Sequence, residues 1–203
     1  MQALRSRFYT RMVLFNSIAL IISTRDPAQV AQLADPLEAF RRIATTRSPF
    51  IVNGIPELVY LADILWNAAG RPNKAGWYSH PGLTKGAAMQ AASARGGYSL
   101  WGVTPFLIAQ KKSRWALRPV LYGEEMFHRI MVSVVVNPDR FPHANVKGAL
   151  AFQRYLLEPA TQERILDFRY PGIAQPLFWP AGRNNAPYLL PQGNGHGEHK
   201  KHH

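Results

Sequence analysis

The sequence predicts an α/β protein, and three stretches carry that reading. Met12 to Ser23 is a nearly unbroken aliphatic and β-branched run, the composition of a strand buried on both faces. Phe50-Ile51-Val52 reads as a second strand, followed after Asn53-Gly54 by apolar residues at helical spacing from Glu57 to Trp66. Between Gly76 and Leu107 comes a Gly- and Thr-bearing loop, then an Ala-rich helix from Ala87 to Arg95. Gly96-Gly97 stops that helix, and the short strand Tyr98-Ser99-Leu100-Trp101 runs to Gly102. Strands alternating with helices through short loops make α/β layers.

Composition sets the limits. A chain of 203 residues with 47% hydrophobic and 18% charged residues can bury a large core in one or two domains. The net charge of +12 comes from scattered Lys and Arg, with no zinc-finger spacing, RNA-binding aromatic motif or long basic helix. A solvated basic surface is expected, and no nucleic-acid partner. The absence of Cys leaves no thiol for a disulfide, a thiolate zinc site or a cysteine nucleophile. Nor is there a Gly-x-Ser-x-Gly elbow, a P-loop, a His-Glu-x-x-His or a dinucleotide fingerprint. Glu124-Glu125 are adjacent and do not face each other on a regular element, so a solvated loop is expected there and no enzyme.

Taking the elements in order, Met1 to Arg7 is basic and the apolar run after it superficially copies a signal peptide. Asn16 and Ser17 interrupt that run and no small-x-small site follows, so a core strand is expected, with no signal peptide. The run is also too short to span a bilayer. Asp26-Pro27 starts a turn, and helical segments lead to Ile43. Pro56 suits the first turn of the helix that ends near Gly70. From Arg183 the chain becomes rich in Pro and Gly, and His196, His199, His202 and His203 form a His-rich end suited to a divalent metal such as Zn, Ni or Cu. An appended, non-native segment is the other reading of that tail. Trp66, Trp77, Trp101, Trp115 and Trp179 are expected in core or hinge packing.

The loop before Ala87 carries a chemical possibility. A Gly- and Thr-rich loop at a helix start gathers unpaired N–H groups and the positive end of the helix dipole, which together can hold an anion.

The stretch from Gly76 to Leu107 resembles the second-lobe signature of the periplasmic tungstate-binding proteins, solute receptors of tungstate ABC transporters with the type II periplasmic binding protein fold. The likeness extends upstream through Leu14-Phe15-Asn16-Ser17-Ile18-Ala19-Leu20-Ile21, Asp35 to Ala44 and Ser48-Pro49-Phe50. Downstream it takes in Met131 to Pro138, His143, Val146 to Leu157 and Ile165 to Phe168, so that it covers about Arg11 to Pro180. The resemblance implies one complete α/β lobe, two hinge strands and the C-terminal part of a second lobe. Residues 1–23 would be the N-terminal segment and first hinge strand, 24–118 the complete lobe, 119–180 the return strand and partial lobe, and 181–203 a flexible tail. It further implies a periplasmic location, an ABC permease as partner, no required cofactor, and a small oxyanion such as tungstate held in an interlobe cleft.

Family members begin with further strands and helices ahead of the position where this chain starts. The partial lobe is therefore expected to expose apolar surface that another subunit could cover. The alternatives to transport are a repurposed accessory or interaction subunit with a degenerate ligand site, or a metal-binding protein acting through its His-rich tail.

In the family, the loop after the second strand reads Ser-Arg-Gly-Asp and then Ser-Gly-Thr-His. Here Val52-Asn53 replaces the Ser-Arg pair, Gly54 is kept, and Ile55-Pro56-Glu57-Leu58 follows. The change removes an arginine suited to bidentate oxyanion contact. In the later loop Pro81 stands where a Thr is usual, and Trp101-Gly102-Val103 replaces Thr-Asp-Arg. The remaining candidates for ligand contact are Asn53, Gly54, His80, Thr84 and Lys85, with Gly82 and Gly86 allowing close backbone approach. Lys85 opposes the helix dipole unless an anion lies near, and Trp101 could stack on an organic ligand.

Overall fold

The computed structural model describes residues 9–181, in two compact units made of residues 17–127 and of residues 9–16 with 128–181. One long strand, β1 (Tyr9–Ser23), contributes a half to each.

In the larger unit the strand order is β3-β2-β4-β1-β5. β2 (Phe50–Ile51) runs parallel to β3 (Tyr78–Ser79) and β4 (Tyr98–Gly102), and β1 runs antiparallel to β4 and to β5 (Leu117–Val120). With a neighbour on each side, Ile18 to Ile22 of β1 are at most 5% exposed. That burial accounts for a five-residue stretch of β1 that is apolar at every position.

The helices follow from local chemistry. α1 (Pro36–Thr45) starts where the Asp35 carboxylate accepts the Leu37 N–H at 2.8 Å, with Pro36 in the first turn. It buries Pro36, Ala39, Phe40 and Ile43, a stripe at helical spacing. α2 (Pro56–Ala68) likewise opens on proline and buries Leu58, Leu61, Ala62, Leu65 and Trp66. The Trp66 ring lies 4.4 Å from Phe40, 5.1 Å from Phe50 and 5.2 Å from Trp77, forming the aromatic centre of the unit. α3 (Lys85–Arg95) ends at Gly96 in the left-handed region at φ 62°. Gly97 then passes so close to Pro49 that a Cβ would overlap the Pro49 carbonyl oxygen.

In the smaller unit, β6 (His128–Val135) and β7 (Trp179–Pro180) pair with β1, β7 antiparallel through Leu14 and Phe15. Phe15 stacks on His128 at 4.4 Å and on Trp179 at 5.7 Å. α5 (Val146–Leu157) is capped by Asn145, and α6 (Pro159–Asp167) opens on a proline. Two glutamines fasten these helices to the strands. Gln153 donates to the Ser133 carbonyl at 3.1 Å, and Gln162 donates to the Val13 carbonyl at 3.0 Å and the Leu156 carbonyl at 2.6 Å.

Several boundaries differ from the sequence reading. Among the described residues no helix precedes Pro36. The Asp26 carboxylate accepts the Val30 and Ala31 N–H groups, and Asp26 and Gln29 take positive φ, which holds this stretch in turns. The Ala-rich helix begins at Lys85 and not at Ala87. Past Gly102 a helix, α4 (Val103–Gln110), replaces the expected loop, and Pro159 starts α6 where only a closing segment was expected. Glu124 and Glu125 are exposed, Glu125 opening a short 3-10 turn to Phe127. The His-rich tail lies outside the described residues.

Candidate functional site

Because β2, β3 and β4 run parallel, their C-terminal ends share one edge of the sheet, and each hands the chain to a helix there. The connections from β2 to α2, from β3 to α3 and from β4 to α4 therefore bring three helix N-termini to that edge. In open α/β sheets this edge is where ligands sit, since the free N–H groups and positive dipole ends gather there.

Two of the loops are joined together. The Gly54 N–H donates to the Leu83 carbonyl at 2.8 Å, and the Lys85 N–H donates to Asn53 Oδ1 at 3.0 Å. A Cβ on Gly54 would stand 3.2 Å from that carbonyl, a tight contact for any larger residue. Thr84 precedes α3 without capping it, and Asn53, 32 positions earlier, supplies the cap. Asn53 is 1% exposed, and its other side-chain atom, Nδ2, is buried without a hydrogen-bond partner among the described residues. An amide donor left unpaired in a buried setting costs about 1–3 kcal/mol unless something accepts from it.

The other sequence candidates divide between surface and interior. His80, Gly82, Thr84 and Lys85 are exposed and Gly54 and Gly86 half-buried, all on the two joined loops or at the start of α3. Lys85 takes φ 51° and makes no ion pair among the described residues, and Gly82 takes φ 73° in open space. Gly86 lies beneath Trp115, where a Cβ would meet the ring at 3.4 Å. Trp115 in turn donates to Gln90 at 2.9 Å. Trp101, 6% exposed, packs edge-on against Phe106 and Trp115 at 6.4 and 6.5 Å, within the unit's interior.

Beside the loops, burial and the Asp63 carboxylate push the Tyr78 hydroxyl pKa up. The Lys74 ammonium lies over the Tyr78 ring at 4.3 Å.

The reach of Trp115 over α3 and the N-terminus of α4 were not foreseen. Nothing local marks a contact between residues 29 apart. The Gly102-Val103 step, however, follows a buried strand and could have been read as a helix start. Among the described residues no group of His, Asp or Glu is placed to hold a metal ion. His196, His199, His202 and His203 lie outside them. No helix of the described residues is long and apolar enough to cross a membrane.

No family model matches the chain. A Haloferax volcanii protein described as an ABC transporter anion-binding protein is 26% identical over 181 residues, 87% of this chain and 52% of that protein. The tungstate-binding protein TupA of Peptoclostridium acidaminophilum is 23% identical over 171 residues, 83% of this chain and 59% of that one. Among solved structures, the tungstate-binding protein TupA of Desulfovibrio alaskensis superposes with a TM-score of 0.74 at 24% identity, over 85% of this chain and 70% of that one. The chain thus spans between half and three fifths of the curated relatives' length. It is a divergent relative of these anion- and tungstate-binding proteins and shares their mixed α/β, periplasmic-binding-protein-like fold. The relatives are named as binding proteins, not as enzymes.

Proposed function

We propose that the chain binds a small oxyanion of the tungstate class at the joined loops of the larger unit, as the solute-binding component of an ABC transport system outside the cytoplasm. The observation that carries this reading is Asn53. Its Oδ1 fixes the first N–H of α3, and its Nδ2 remains a buried donor with no partner among the described residues. An anion accepting from Nδ2 would also meet the α3 dipole, the Lys85 ammonium and the Thr84 hydroxyl. The family's arginine is gone, and an amide with a lysine from the next loop takes its place. The larger unit carries twelve Lys and Arg against seven Asp and Glu over residues 17–127, which draws anions toward it. Binding is non-covalent, and the solute is presented to a membrane permease.

Asn53→Asp tests this. The new carboxylate keeps an acceptor for the Lys85 N–H and places negative charge at a helix start, which offsets part of the cost of burying that charge, and circular dichroism checks that the variant folds. The donor is lost and repels the anion instead. Isothermal titration with tungstate, molybdate and sulfate should show one saturable site in the parent chain, weakened about a hundredfold or more in the variant. Unchanged affinity in a folded variant would remove the site from these loops.

A further inference from the structure

In the larger unit α1 and α2 pack side by side through Phe40 and Trp66, and both end at the edge of the sheet where β2 and β3 begin, opposite the joined loops. A cleft of about 490 Å³ opens beside these helix ends. Arg41 and Thr45 line it from one face of α1, four residues apart. Arg47 and Asn73 line it from the connections that follow the two helices. Two guanidinium groups, a hydroxyl and an amide thus border one space, and among the described residues no carboxylate lines it.

These donors are not spent on closing the helices. The backbone N–H groups of Thr46, Arg47 and Ser48 serve the last carbonyls of α1, and those of Ala69, Gly70 and Arg71 serve α2. Arg47 donates one N–H to the Ala75 carbonyl at 2.9 Å, which fixes the guanidinium and leaves its other donors. Arg41 stands 3.9 Å from Glu38, a carboxylate that lies nearer to Arg42, at 3.3 Å. Asn73 Oδ1 accepts the Ala75 N–H at 3.0 Å, so its Nδ2 group remains a donor. Arg47 also takes φ 51°, one residue past the α1 cap, where glycine is the usual residue. Nothing in that helix end calls for arginine.

We propose that this cleft binds a small organic phosphomonoester. Two cations match the double negative charge that such a group carries near neutral pH, and guanidinium takes phosphate oxygens through two parallel hydrogen bonds. A carboxylate brings a single charge and one oxygen fewer. The carbonyl ends of the two helices oppose an anion, each by the equivalent of about half a charge, and the two guanidinium charges outweigh them. The volume falls within the roughly 300–1,000 Å³ of pockets that hold organic ligands, and Ala44, Ala69 and Pro72 give the organic part an apolar wall. This inference stands apart from oxyanion binding at the joined loops, which lie at the other edge of the sheet.

The test is isothermal titration of the full chain with phenyl phosphate, beside benzoate and inorganic phosphate. One saturable site is expected for phenyl phosphate, at least about tenfold tighter than for either of the others and retained in Asn53→Asp. Arg47→Gly should weaken it by about tenfold or more, with the circular dichroism spectrum unchanged because glycine suits φ 51°. Should that variant fail to fold, Arg41→Gln, at an exposed position, should weaken binding by a similar factor. No saturation up to about 10 mM, equal affinity for benzoate or inorganic phosphate, loss of binding in folded Asn53→Asp, or indifference to the folded arginine variants would overturn the proposal.

Discussion

The two units are made from one composition and end with opposite surfaces. Among the described residues thirty-two of the buried apolar residues lie in the larger unit and six in the smaller, whereas the exposed large apolar residues divide two against eleven. In the larger unit strands and helices alternate, so every apolar stripe meets a layer. Among the described residues of the smaller unit, three strands and two helices leave Ile130, Val132 and Val134 of β6 and Phe152 and Tyr155 of α5 exposed. The difference teaches that a sheet edge and its layers, more than hydrophobic content, decide whether a unit closes on itself. Closure also locates function: loops can be held in fixed positions only above a finished core, and the candidate site stands above the larger one.

The comparison breaks first at the aromatic centre. Trp66→Ala removes a ring 1% exposed and packed among Phe40, Phe50 and Trp77, and should cost about 3–5 kcal/mol. Thermal unfolding followed by Trp and Tyr signals should show this loss. A loss well below 1 kcal/mol would mean the larger unit is not the better packed one.

A smaller effect concerns the turn after β1. The Tyr98 hydroxyl donates to Asp26 at 2.8 Å and accepts from the Ala28 N–H at 2.7 Å. Burial, chiefly, raises its pKa well above the usual 10.0, with the Asp26 carboxylate adding to the rise and the Ala28 bond opposing it. A raised pKa means the folded state favours the neutral hydroxyl. The contribution is therefore complete below the unfolded value near pH 10 and declines as pH rises beyond it. Tyr98→Phe should cost about 1–3 kcal/mol near neutral pH by orphaning the Ala28 N–H. It should also make the fall of melting temperature between about pH 9 and 11 shallower, without abolishing it, since Tyr122 is raised by burial too.

The smallest effect sharpens the contrast. Phe152→Ser, at a position 60% exposed, should change the stability of the monomer by no more than about 0.5 kcal/mol. Chemical denaturation at low chain concentration measures this, and a large loss would show that α5 is covered after all.

Much of the frame was legible in the residues. Pro56 before an apolar periodic run and Gly96-Gly97 after alanines are local signals, and the helices begin or end there because local hydrogen bonds and φ preferences act within a few residues. The apolar run of β1 announced a buried strand for a different reason, since a strand covered on both faces needs apolar residues along its length. Of the site, the loops and the presence of Asn53, Thr84 and Lys85 were readable. That Asn53 would serve as the cap of α3 was not, since the turn preference of Asn-Gly points to a tight turn and says nothing of a partner 32 positions away.

The sequence by itself determined the α/β order, the helix ends and the apolar strand that runs through both units. Only the tertiary structure decided that the β2 and β3 loops are joined, that one Asn53 amide atom is spent and the other left buried, and that Trp101 faces Phe106 and Trp115. It likewise decided that the alternate residues Ile130, Val132 and Val134 stay uncovered. The physical reason is range. Capping and periodicity are set by neighbours along the chain, whereas burial and donor satisfaction depend on which distant segments the sheet brings side by side.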